Sequence, residues 1–241
     1  TELLCKYLKL PIKFLKKKDY DLIKIKKAKK INSFNYRIPS DMSSASFFIV
    51  LTCLTENSSL TIKNVNINSS RIGIIIILKK MGAKIFFRNK KFYNGELVAD
   101  IFVKSSKNLK SIDCPIRLNS SAIDEFLLIF LVAAKAKGVS FFKNLSELNQ
   151  KESPRLKWGS KILNLIGIKN IVTNNSIKIF GNPNINIKKK IVIKDYLKDH
   201  RIFMSSTIAA LIFGGEWYIH DKDSINSSFP NYLKVLKEIQ K

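Results

Sequence analysis

Apolar residues fall into three stretches of similar layout: SASFFIVLTCLTENSSLTIKNV from Ser44, DEFLLIFLVAAKAKGVSFFKNL from Asp124, and HRIFMSSTIAALIFGGEWYIHD from His200. Each runs through about a dozen mostly apolar residues, breaks at Asn or Gly, and resumes as a short β-branched or aromatic run. That pattern predicts a helix, a turn and a strand. The helical parts are apolar nearly all round, so they belong in the middle of a domain. A polar linker then leads to a second helix in each unit: Arg71 to Met81, Arg155 to Ile166, and Asn231 to Ile239. Gly82 and Gly167 stand where the first two of these helices should stop, and a strand opens after each. Residues 1 to 15 fit only the second half of such a unit, a helix through Tyr7 and Leu8 and then a strand through Ile12 and Phe14. The chain is therefore expected to begin mid-repeat, with at least the first half of that repeat preceding Thr1. The fold class is α/β, built from repeated βαβαββ units with buried helices and outward sheets. The helix starts at Asp124 and His200 would then point to a common end, where unsatisfied N–H groups and the helix dipole suit phosphate and carboxylate.

Composition narrows the partners. The chain has 241 residues with 46% hydrophobic, enough for a packed core. Its densest apolar runs, Phe47 to Leu54, Phe126 to Ala134 and Ile202 to Phe213, are too short to span a bilayer. No signal peptide is visible, so a cytoplasmic protein without a membrane partner is expected. Cys5, Cys53 and Cys114 are odd in number and widely spaced, which argues against a disulfide framework or zinc site. With only His200 and His220 besides, no metal is expected. A net charge of +25 points first to nucleic acid. However, only 6 of the 43 basic residues are Arg, and the excess of Lys accompanies an excess of Ile and Asn. All three have A/T-rich codons, so a biased genome explains the charge without a nucleic-acid partner. The field still favours small anions.

Three segments carry candidate chemistry. In Lys151-Glu152-Ser153-Pro154-Arg155, Ser153 reads as an N-cap and Pro154 as the first helical residue, placing Arg155 in the first turn. Asp199-His200-Arg201 opens another helix, and Ser120 to Glu125 ends in paired acids before an apolar helix. Taken alone, each segment reads more readily as an ordinary capped or dipole-matched helix start with a solvated charged turn. Together they fall at helix starts that the repeat would bring to one face. There, two Arg forks suit phosphate and carboxylate, and a carboxylate near a Lys can exchange protons.

Lys151 to Leu156, KESPRL, resembles the KESDRL signature of EPSP synthases, and Asp199-His200-Arg201 with Met204-Ser205 resembles their DHRxAMS signature. Ile123-Asp124-Glu125 is similar to the IDE segment of the bacterial branch. Ile38 to Ala45 resembles the family's PGDPSSA entry into its C-terminal domain. Lys80-Met81-Gly82-Ala83, Ser228-Phe229-Pro230 and the opening Thr1-Glu2-Leu3-Leu4 follow in the family's order. The likeness covers nearly the whole chain. It implies the enolpyruvyl-transferase fold, with 1–38 as the tail of an N-terminal domain and 39–241 as the C-terminal domain. It also implies transfer of the enolpyruvyl group of phosphoenolpyruvate to the 5-hydroxyl of shikimate 3-phosphate, without metal or organic cofactor, by a protein that is a monomer at full length.

By motif, Asp124 would contact the shikimate ring hydroxyls and act as base. Glu152 with Lys151 would move the proton at the methylene carbon, and Lys151 and Glu147 would lie near the shikimate phosphate. Arg155 and Arg201 would clamp phosphoenolpyruvate, with His200 and Asp199 supporting them from behind. The chain departs from the family at Pro154, which replaces an Asp, at Ser40, which replaces a Gly, and at Ser227, which stands where some members carry a phosphate-contacting Lys. The family's Lys-Ser pair, its Asn-Gly-Gly-Thr loop and its Gln-containing segment would all precede Thr1. Little activity is therefore expected of this chain alone. The rival readings are the sister transferase acting on UDP-N-acetylglucosamine, which lacks a KESDRL-type segment, and an RNA 3′-phosphate cyclase, which needs a different context for its His. A non-catalytic remnant is the third.

Overall fold

In the computed structural model, residues 2–239 are described except Asp19, Lys29 and Asn32. The chain opens with α1 (Glu2–Tyr7) and the antiparallel pair β1 (Ile12–Lys16) and β2 (Asp21–Ile25). The first full unit comprises α2 (Met42–Leu54), β3 (Ser59–Asn66), α3 (Gly73–Lys80), β4 (Lys84–Tyr93) and β5 (Glu96–Lys104). After a short helix α4 (Asn119–Ala122), the second unit comprises α5 (Phe126–Lys135), β6 (Gly138–Phe142), α6 (Arg155–Leu165), β7 (Asn170–Val172) and β8 (Ile177–Gly181). The third runs β9 (Lys190–Ile193), α7 (His200–Phe213), β10 (Glu216–Ile219) and α8 (Tyr232–Glu238).

The expected repeat is present in the pairing. The first two sheets have the same order, β3-β5-β4 and β6-β8-β7. Each also carries a parallel edge, through Ser40 beside Val65 and through Lys110 and Asp113 beside β6. In the third unit the same parallel edge is β9 against β10. The full unit is therefore βαβαββ, and among the described residues the third unit stops after its second helix.

The helices α2, α5 and α7 pack against one another at the centre. Phe126 to Ala134 are all buried, as the apolar circumference of that helix requires. Fully burying each Leu, Ile or Phe contributes roughly 1.5–3 kcal/mol. The second helices α3 and α6 end as expected. Gly82 and Gly167 take φ of +94° and +83°, and paired bonds close each end, such as Ala83 N donating to Leu78 O and Ile168 N to Leu163 O.

One carboxylate organises the first sheet. Both β3 and β4 bulge against β5, between Ile62 and Val65 and between Arg88 and Lys91. Asp100 of β5 accepts from Asn64 N at 2.9 Å, Asn89 Nδ2 at 2.8 Å and Lys63 Nζ at 3.1 Å. The Asn64 N–H, then the Asn89 amide, hold its carboxyl down at about 2. A depressed carboxyl stabilises the fold above its ordinary value of 3.8, and that contribution is lost as pH falls towards about 2. Asp100→Asn should therefore be less stable than wild type at pH 5–7, with the gap closing towards pH 2, as urea unfolding across that range would show.

Candidate active site

The helix starts of all three units meet at one end of the central helices. Asp124 lies at the centre of this meeting point. Its carboxylate faces Arg155 Nη1 at 3.4 Å, Arg201 Nη2 at 3.6 Å, Arg71 Nη1 at 3.7 Å and Lys151 Nζ at 3.9 Å. Arg201 Nη1 also donates to the Asp124 backbone oxygen at 2.9 Å. The four cations come from α6 and its approach, from α7, and from the approach to α3, so no single unit could assemble them.

Asp124 does not start a helix, as the sequence pattern had suggested. Helical turns run without a break from Ile116 through α4 and a 3-10 turn at Ile123–Glu125 into α5. Asn119 anchors this run by donating to the carbonyls of Lys143 and Asn144 at 2.8 and 3.0 Å. The Asp124 carboxylate therefore serves the surrounding cations rather than a helix terminus.

Arg155 opens α6 and is only 2% exposed. Its Nε donates to Asp199 Oδ2 at 2.8 Å, its Nη2 to Asp199 Oδ1 at 3.3 Å, and Nη2 also pairs with Glu152. Ser153 corrects its expected role. Its hydroxyl does not cap α6 but donates to Asp199 Oδ2 at 2.7 Å. Asp199 is the N-cap of α7, accepting from Arg201 N at 2.9 Å. Burial pushes its carboxyl up, but the Arg155 bond and charge, with Ser153 and the Arg201 amide, outweigh that and hold it below the usual range. His200, next in sequence, is half-buried. Burial first, and the Arg201 charge second, push its imidazole down, so it is uncharged at neutral pH.

Lys151 pairs with Glu147 at 3.1 Å as well as with Asp124. Ser227 is not brought into this network, and its exposed hydroxyl donates to Ser224 O at 3.2 Å. Three residues outside the expected set do join it. Arg71 Nη2 donates to Ser43 Oγ at 2.9 Å, and Ser43 Oγ donates to Glu125 Oε1 at 2.6 Å. The signal for Arg71 was present in the repeat, where the helix from Arg71 aligns with the helix from Arg155. Among the described residues no three His, Cys, Asp or Glu side chains are placed to share a metal ion, and no helix is long and apolar enough to cross a membrane.

This site can bind anions and move protons, but its cations already face five carboxyl groups, Asp124, Glu125, Glu147, Glu152 and Asp199. An incoming dianion must displace some of these partners or find further cations elsewhere.

Residues 3–236 match the family model of EPSP synthase (3-phosphoshikimate 1-carboxyvinyltransferase). A 3-phosphoshikimate 1-carboxyvinyltransferase of Ruthia magnifica is 42% identical over 209 residues, covering 87% of this chain and 47% of that protein. One of Caldicellulosiruptor bescii is 37% identical over 236 residues, covering 98% of this chain and 53% of that protein. The solved EPSP synthase of Acinetobacter baumannii superposes with a TM-score of 0.88 at 32% identity, over 99% of this chain and 54% of that one. The chain spans about half the length of the curated relatives it matches. Its fold is that of the enolpyruvyl transferases, and with a family match along nearly its entire length the chain belongs to the EPSP synthase family.

Proposed function

We propose that this chain supplies the C-terminal half of a 3-phosphoshikimate 1-carboxyvinyltransferase, with 39–241 as the catalytic domain and 1–38 as the tail of its partner domain. The observation that carries this reading is the Asp124 carboxylate held among four cations drawn from three helix starts. In the reaction, the 5-hydroxyl of shikimate 3-phosphate loses its proton to Asp124 and its oxygen bonds to C2 of phosphoenolpyruvate. Lys151 and Glu152 supply a proton to the methylene carbon, giving a tetrahedral ketal phosphate. Loss of a methyl proton to the same pair then restores the double bond as phosphate leaves. Arg201 and Lys151 hold the anionic groups, and Glu147 orients Lys151. Arg155 reaches phosphoenolpyruvate only when Glu152 or Asp124 lets go of its Nη atoms. His200, uncharged, backs Arg201 without adding charge. Ser227 enters only if substrate draws its loop inward. The substrates are small anions, and a cytoplasmic location agrees with that.

The charge balance of the site supports the division of labour. Four cations facing five carboxyl groups leave no surplus for two phosphate-bearing substrates, so the remaining cations must come from the other half of the cleft. Phosphate release from phosphoenolpyruvate and shikimate 3-phosphate tests both parts of the proposal. The chain alone should show no turnover above background, whereas a polypeptide of the relatives' full length containing this chain should release phosphate with stoichiometric enolpyruvyl product. Turnover by the chain alone at the full-length rate would remove the half-site reading. A full-length protein that transfers nothing would remove the function.

A further inference from the structure

We propose that Arg71, acting with Ser43 and Glu125, is a positioning residue that holds Asp124 and Arg201 in register from the first unit; this rests on the catalytic reading above. The five residues form a closed ring. Arg71 Nη1 faces Asp124 Oδ2 at 3.7 Å, and Arg201 Nη2 faces the same oxygen at 3.6 Å. Arg201 Nη1 faces Glu125 Oε1 at 3.6 Å, Glu125 accepts from Ser43 at 2.6 Å, and Ser43 accepts from Arg71 at 2.9 Å. Each unit contributes a corner, so the ring fixes the three helix starts against one another.

Two further observations place Arg71 there by construction of the fold. In the repeat, Arg71 is the counterpart of Arg155, each standing at the approach to the second helix of its unit. Gly73 then lets α3 come close to the second unit, since a Cβ there would stand 2.4 Å from Ser121 Oγ and 2.6 Å from the Ser121 backbone. The two arginines have different surroundings, however. Arg155 is sealed at 2% exposure, whereas the Arg71 side chain is 45% exposed and borders solvent beside Asp124. A half-exposed guanidinium contributes little to stability, so its value lies in holding the carboxylate it faces. Glu125 is buried, and burial pushes its carboxyl up despite the Ser43 bond and the Arg201 charge. Among the described residues its side chain is held by Ser43 and Arg201, both members of the ring.

Two measurements separate this role from bulk structure. In the chain itself, which needs no substrate, Ser43→Ala should shift and broaden the Arg201 guanidinium NMR signal, to which Ser43 is joined through Glu125. Ser43→Thr, which keeps the hydroxyl, should restore it. In the full-length enzyme, Arg71→Gln should lower kcat roughly 10- to 100-fold by loosening the base, with KM for phosphoenolpyruvate changed less than about threefold. If Ser43→Ala fails to fold, Arg71→Gln carries the test through its exposed side chain. An unmoved Arg201 signal in a folded Ser43→Ala chain overturns the ring, and an Arg71→Gln kcat within about threefold of wild type, or a KM that rises as much as kcat falls, overturns the positioning role. If the full-length enzyme transfers nothing, the catalytic reading fails, while the Arg201 signal still decides the ring.

Discussion

Arg155→Met is expected to cost the chain roughly 3–5 kcal/mol of stability, the range found when one partner of a buried ion pair is removed. The Asp199 side chain is 0% exposed and would be left charged with only Ser153 and one backbone N–H. Glu152, at 53% exposure, can turn to water and adds little. Urea unfolding should show a lower midpoint at unchanged slope. Arg155→Lys should recover only part of the loss, because an ammonium cannot present two donors to both Asp199 oxygens as the guanidinium does. Removing both charges, with Asp199→Asn added, should also recover part, since Asn still caps α7. A wild-type midpoint in Arg155→Met would show that the pair is not the anchor of the site.

The largest kinetic effect is expected at Asp124. In the full-length enzyme, Asp124→Asn should lower kcat by about 10²–10⁴-fold, the usual contribution of a positioned general base. The change preserves shape, and Arg201 can still donate to the residue 124 backbone oxygen. Binding of phosphoenolpyruvate should therefore survive better than turnover. Phosphate release under saturating substrate is the measurement, and a rate within threefold of wild type would take the base assignment away from Asp124.

The repeat was legible in the sequence because its signals are local. Apolar helices, Gly stops and β-branched runs each need only a dozen neighbours, and Gly82 and Gly167 behave as their chemistry dictates. The site was legible in part. Asp124, Lys151, Glu152, Arg155, Asp199 and Arg201 do converge, as three motifs at successive helix starts implied. The burial of Arg155 was not legible, because its partner lies 44 positions away and a charged first turn looks solvated in one dimension. The helical run from Ile116 into α5 escaped for a similar reason, since Asn119 reaches carbonyls 24 and 25 residues on. Arg71 belongs to no quoted motif, and only its alignment with Arg155 hinted at it.

The third unit bears on how the chain behaves in concentrated solution. Among the described residues β10 pairs only with β9, and its Trp217 and Ile219 line a groove with Leu211, Leu233 and Leu236. An open strand edge beside apolar side chains is a template for another chain. A charge of +25 sets identical molecules against one another, and salt shortens the reach of that repulsion from about 10 Å at 0.1 M to about 3 Å at 1 M. The lysines that looked like genomic bias thus have a colloidal consequence, setting identical molecules against one another most strongly at low salt.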